Sequence, residues 1–428
     1  MAEQDRVNLL TAVNRVTKNK KIRFRLKEHT TTSEALPSEA SVSDIFSNER
    51  IIRRKMNRKD IAEIKKQLKE DRCCLTRICG CYVDAEKQRK TELSQTFLSL
   101  PQEEMFKYFD ILKKTLSGTV GRNLITAAFP LEAEAEGSAH EFLRLLVKSR
   151  LDDPELLNRF YQMVIEKFDY TENYYIILVH GVYDIPGKSS DGLEMFDASE
   201  EVYEHIICSI CPVSLSKAGL CYNAETNRIE DRIRDWIVDM PETGFLFPAF
   251  TDRGTNLHEI LYYAKKAEQN HAEFVYDMFG CTPPLPPTVQ KDSFNAVVEE
   301  TLGDECTYET VVNIHEKLSE IIENMKDEPD PVILTKSEVR RVLEESGADD
   351  EKMSSFDETY DNTAGENTSL MAANITNTKT MEIASSEIKI RVSPEQAQLI
   401  ETRVLDGRKC LVIPLDQEVT VNGIAVRV

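Results

Sequence analysis

Tyr-Tyr-Ile-Ile-Leu-Val-His-Gly-Val-Tyr-Asp-Ile-Pro occupies positions 174–186, and Thr-Gly-Phe-Leu-Phe-Pro-Ala-Phe occupies 243–250. Between them, at 206–211, lies Ile-Ile-Cys-Ser-Ile-Cys. Each run is short, apolar and rich in β-branched or aromatic residues, with Pro, Gly or Asn as punctuation. That composition predicts buried strands of one sheet. Helix-patterned segments flank them. The expected fold class is α+β: a helical N-terminal region, a central mixed β-sheet flanked by helices, and a small C-terminal module of β-α-β-β-β order.

A chain of 428 residues exceeds a typical single core, so several domains are expected. The plan read from composition is a disordered extension at 1–55 and a helical region plus central α+β domain at 56–282. A polyproline connector with a helical segment (283–348), a polar linker (349–385) and the C-terminal module (386–428) follow. Arg53, Arg54, Lys55 and Met56 could be encoded by a ribosome-binding sequence followed by a start codon, so Met56 is the expected native start. An N-terminal peptide from upstream of Met56 in the native protein's mass spectrum would contradict that.

Hydrophobic content of 41% and charged content of 30% suit a soluble globular protein. No apolar run reaches the length of a membrane-spanning helix, and no secretory leader is visible, so no membrane role is expected. Ten scattered cysteines read as reduced thiols in a cytoplasmic protein. The net charge is −21. Residues 1–92 hold 22 Lys+Arg against 14 Asp+Glu, which leaves 31 against 60 for the remainder. So acidic a body repels nucleic acid, and a protein partner is expected instead.

Local signals place the helices. Asn57 with Asp60 caps one helix, 97–116 reads as another, and 139–168 as two broken near Pro154. A short strand is expected at 124–129. Residues 257–279 read as helical, and Pro283, Pro284, Pro286 and Pro287 enforce extended backbone. Val311, Ile314, Leu318, Ile321, Ile322 and Met325 make the strongest helical stripe, and Thr335 with Glu338 forms a capping box. In the last segment, Ser393 and Pro394 start a helix expected to stop near Asp406 and Gly407. Asn422 and Gly423 suit a type I′ turn.

The motifs that carry chemistry are weak. Gly187, Lys188 and Ser189 resemble the end of a phosphate loop, but position 182 is Val where a glycine is needed. Cys73, Cys74, Cys79 and Cys81, read as lying on a helix, cannot all face one zinc ion, and Cys208 sits in an apolar run. No cofactor and no metal are assigned. The most site-like segment is 250–256, read as a polar turn leaving a buried strand and entering a helix whose open amides could help hold a polar ligand. There Asp252 and Arg253, with Asp184 on the neighbouring run, are the candidate binding residues. The alternative for the turn is a salt-bridged helix cap. Trp236, the only tryptophan, reads as a core or interface anchor.

Several blocks carry a resemblance: Met-Asn-Arg-Lys-Asp-Ile (56–61), Gly-Cys-Tyr-Val (80–83), His-Gly-Val-Tyr-Asp-Ile-Pro (180–186), Cys-Pro-Val-Ser-Leu-Ser-Lys (211–217), Gly-Phe-Leu-Phe-Pro-Ala-Phe (244–250) and Val-Asn-Gly-Ile (421–424). With them, the chain from Met56 onward resembles a bacterial family of unknown function, roughly 400 residues long and found mainly in Gram-positive anaerobes. The resemblance implies no activity, cofactor or catalytic residue. The expected function is therefore an interaction or regulatory protein without chemistry of its own. Its rival is a metal-dependent hydrolase or nuclease using carboxylates such as Asp184 and Asp252.

Overall fold

The computed structural model describes residues 55–130, 135, 137–188, 194–281, 283–366, 368–414, 419–421 and 424–426. Asn57 opens helix α1 (Arg58–Lys66) with a capping box: its side chain accepts the amides of Lys59 and Asp60, while the Asp60 carboxylate accepts its amide. The cysteine-rich segment that follows is not helical. It forms strand β1 (Leu75–Val83), paired with β2 (Arg89–Thr96). Strand alternation sends Cys79, Cys81 and Val83 into one core and Ile78 into another, which the helical reading missed.

Pro101 precedes α2 (Gln102–Thr115), and the short strand β3 (Leu124–Ala128) lies where the apolar run 124–129 placed it. Helices α3 (Ala139–Lys148) and α4 (Pro154–Lys167) break at Asp153, whose side chain accepts the amides of Glu155 and Leu156. Strands β4 (Tyr174–Lys188) and β5 (Glu194–Leu215) are the spine of the molecule. After β5 come β6 (Leu220–Asn223), β7 (Arg228–Asp231) and β8 (Trp236–Val238). The chain continues through β9 (Thr243–Phe247), β10 (Ala249–Thr251), β11 (Gly254–Asn256), β12 (Glu259–Ala264) and α5 (Ala272–Phe279).

The main sheet runs β2-β1-β4-β5-β9-β12-β3, with β8 beside β5. All its ladders are antiparallel, so the expected mixed sheet is corrected to an antiparallel one. Both faces are covered. Ile176 and Leu178 of β4 pack with Phe142, Phe160 and Phe274 from α3, α4 and α5. Ile177 and Val179 pack with Ile64 of α1 and Leu112 of α2. Two-sided burial explains why these strands read as continuous apolar runs rather than alternating ones.

The segment 257–279 departs from its helical reading. Its first half is β12, buried at every residue between β9 and β3, and only its end is α5. Ile260, Tyr262 and Tyr263 favour extended backbone, and the sheet supplies partners on both edges.

Pro287 occupies the first turn of α6 (Pro287–Leu302), and Thr307 caps α7 (Tyr308–Asn324). With the capping-box helix Lys336–Glu345 they enclose a third core around Phe294, Leu302, Leu318 and Leu343. The polar stretch 349–385, read as a linker, holds helices Asp350–Met353 and Phe356–Thr363, with Met353, Phe356 and Tyr360 buried in that core. Few apolar residues are present, but their spacing puts them on one face.

The C-terminal segment also differs from its β-α-β-β-β reading. Its helix is only Pro394–Ala397, and its strands form separate two-stranded ladders: Met381–Ala384 with Lys389–Val392, Glu401–Leu405 with Arg408–Val412, and Val419–Val421 with Ile424–Val426. Asp406 and Gly407 do not end a helix. With φ of 48° and 76° they are the two-residue turn joining Leu405 to Arg408. Asn422 and Gly423 lie outside the described residues, between the paired Val421 and Ile424.

Candidate interaction surface

Strand β5 outruns the core. Its last residues, 213–215, pair with β8, and between them the chain makes an excursion, the β6–β7 hairpin. The root is tied by hydrogen bonds: the Ser216 amide donates to the Asp235 carbonyl (2.8 Å), the Asp235 amide to the Ser216 hydroxyl (3.1 Å), and Arg234 Nε to the Ser216 carbonyl (2.7 Å). Ser214 donates to the Asp239 carboxylate at 2.7 Å. In the distal loop the Asn223 side-chain oxygen accepts the Glu225 amide, and Tyr222 donates to Asn227. Backbone pairing and side chains thus define the arm locally, and among the described residues none of 215–240 belongs to a core cluster.

The arm presents apolar side chains to solvent. Tyr222 and Ile229 are cross-strand partners, and Trp236 lies opposite Leu215. Ile233 is 86% exposed, Leu220 76% and Trp236 56%; Ile237, Val238 and Met240 are exposed as well. Isolated exposed apolar residues are ordinary, but a set this dense is unusual on a face turned only to water. Tryptophan, tyrosine, methionine and arginine are the residue types enriched in protein interfaces. Residues 215–240 carry 4 Lys+Arg and 5 Asp+Glu, so the arm is near neutral on a chain of −21. A signal existed in the sequence. Within Arg-Ile-Glu-Asp-Arg-Ile-Arg-Asp-Trp (228–236), each large apolar residue stands among charges, and such a segment cannot enter a continuous core.

The sequence-derived candidates fall elsewhere. Asp252 and Arg253, with φ of 51° and 62°, are the two turn residues between β10 and β11, so the turn leads into a strand and not a helix. No helix amides are opened there. Arg253 pairs with Glu63 of α1 at 2.8 Å and donates to the Pro186 carbonyl at 2.5 Å. The Tyr183 hydroxyl donates to the same Glu63 oxygen at 3.1 Å. Beside them the Thr255 amide donates to Glu201 at 3.1 Å. The guanidinium therefore clips α1 to the β4 ribbon. Asp252 is exposed, and so is Asp184, whose neighbours Tyr183 and Ile185 are buried. Alternation turns Asp184 to the face opposite Tyr183, away from the Arg253–Glu63 pair.

Among other reactive groups, the thiols of Cys79, Cys81, Cys208, Cys211 and Cys281 are buried and the other five are partly exposed. All ten cysteines are free thiols. Burial pushes Cys208 well above the ordinary range, and it behaves as a small hydrophobe. His180 and His205 are buried on adjacent strands, and burial holds them down to about 4 and about 3. Among the described residues no group of three or more His, Cys, Asp or Glu could hold a metal ion. No helix among them is long and apolar enough to cross a membrane.

A family model described as a domain of unknown function, DUF4317, matches residues 56–424. A search of curated proteins returns no match.

Proposed function

The chain belongs to the DUF4317 family of domains of unknown function, and from that premise we propose that it is a cytoplasmic interaction protein without catalytic activity, docking a second, different protein on the apolar arm at 215–240. The observation that carries this reading is the exposure of Leu220, Tyr222, Ile229, Ile233 and Trp236 on an arm anchored by its root. Burying one such side chain against a partner contributes about 1.5–3 kcal/mol. Ten free thiols support the cytoplasmic assignment. A net charge of −21 on each copy disfavours self-association and supports a different protein as the partner. Arg228 and Arg232 beside the apolar residues favour an acidic rim on it. In this reading the sheet region carries the arm, and the helical lobe after the prolines is a second working part.

The test places a photo-crosslinking residue at position 233 in cells, identifies the adduct, and rebuilds the complex from purified proteins. The expected result is one defined heterologous partner, whose binding drops at least a hundredfold with the double substitution Leu220→Asp and Ile233→Asp. Both positions are exposed, so the variant's urea midpoint should move little. Adducts formed only with the chain itself, or rebuilt binding untouched by the double substitution, would overturn the proposal.

A further inference from the structure

Helices α6 and α7 are held apart by the short helix Ala372–Ile375, which packs against both. A cavity of about 690 Å³ opens between them, walled on one side by the Met381–Ala384 ladder. That volume lies in the usual range of small-ligand sites. Its floor is apolar, with Phe294, Val298, Ile314 and Ile375.

Glu382 and Arg391 also line the cavity but pair with each other at 3.1 Å, and the remaining charges differ between its two ends. At one end Lys291 of α6 stands near His315 of α7, whose Nδ1 lies 3.0 Å from the Thr376 hydroxyl. Burial and then the Lys291 cation lower the His315 pKa, which keeps the imidazole neutral. At the other end Glu299 of α6 lies near Cys306 and Tyr308; burial and then this carboxylate raise the Cys306 thiol. Neither Lys291 nor Glu299 takes part in an ion pair among the described residues. Eight residues along one helix separate the two charges by about 12 Å. An extended peptide covers about 3.3–3.6 Å per residue, so three to four residues span that distance.

We infer that this cavity binds a short linear peptide with both termini free, its α-carboxylate at Lys291 and its α-ammonium at Glu299. The apolar floor receives the side chains, while Thr376 and neutral His315 supply uncharged hydrogen-bonding groups at the carboxylate end. Charge complementarity selects the occupant. A peptide blocked at either end leaves one of the two charges without its counterpart. This site is independent of the arm, so either can fail without the other.

Calorimetry on the full chain with tetra-alanine, its N-acetylated form and its C-amidated form tests the inference. Tetra-alanine should bind, and each blocked form should bind at least tenfold more weakly. Lys291→Met should erase the preference for a free carboxylate alone, and Glu299→Gln the preference for a free amine alone. Both side chains are exposed at the cavity rim, so the variants should fold. Absence of tetra-alanine binding, or equal binding of all three peptides, would overturn it.

Discussion

Stability to urea is expected to fall steeply as pH drops from 7 to 4, before most carboxylates titrate. His180 and His205 are buried, and the Nε2 atom of each has no hydrogen-bond partner among the described residues. His180 Nδ1 lies 2.7 Å from the Thr76 hydroxyl, and the His205 ring stacks on Tyr203 with centroids 4.6 Å apart. A proton on either Nε2 would be a buried N–H without an acceptor, next to a second imidazole. Burial therefore lowers both pKa values, to about 4 and about 3. The unfolded chain takes up these protons near 6.5. Above that pH neither state is charged, and the neutral pair leaves stability at its full value. Below it the unfolded state binds up to two more protons than the folded one. Stability then falls by as much as about 2.8 kcal/mol per pH unit, until the folded imidazoles themselves protonate near 4 and 3. Half-buried His271 and His315, also lowered, act in the same sense. His205→Phe should flatten the slope by about half. A urea midpoint unchanged between pH 7 and pH 5 would contradict this origin.

The second large effect concerns Gly244→Ala. On β9 a Cβ at this position would lie 2.3 Å from the Cys208 carbonyl oxygen and 3.2 Å from the Ser209 Cα. Both atoms belong to the backbone of β5, whose Ser209 pairs directly with Gly244. Thr115 of α2 closes the remaining side, its Cγ2 at 2.7 Å. A flexible side chain could yield, but a central ladder cannot move without breaking its register. Overpacking of this kind costs about 1–3 kcal/mol, and here the upper end or more is expected. Gly219→Ala, in the arm, provides the internal control. A Cβ there meets nothing within 4 Å, so its urea midpoint should stay close to the parent's. Equal midpoints for the two variants would show that β9 does not approach β5 this closely.

Legibility in the sequence followed local self-sufficiency. The runs at 174–186, 206–211 and 243–247 declared themselves because both faces of those strands are buried, which demands unbroken apolar residues. Caps at Asn57, Thr335 and Ser393 were legible because each bond closes within three residues. Strand β1 was obscured by Arg77 and by Cys79 and Cys81, whose apolar character depends on what covers them. Strand β12 was hidden because Glu259, Tyr262 and Tyr263 fit a helix until β9 and β3 supply partners. The candidate site suffered most from non-local contacts. Arg253 and Asp252 were noticed for their chemistry, yet the Arg253 partner Glu63 lies 190 residues away. Trp236 was singled out by rarity, but nothing local distinguishes a buried tryptophan from one on an open arm.

That tryptophan also gives the central claim its most direct measurement. The chain has a single Trp, so its emission reports on the arm alone. In the isolated protein the emission should be red-shifted, open to acrylamide quenching and unchanged on dilution. Adding the partner recovered through position 233 should shift it to the blue and protect it from quenching. Emission already shielded in the isolated chain, or indifferent to the bound partner, would contradict the assignment of residues 215–240 as the docking surface.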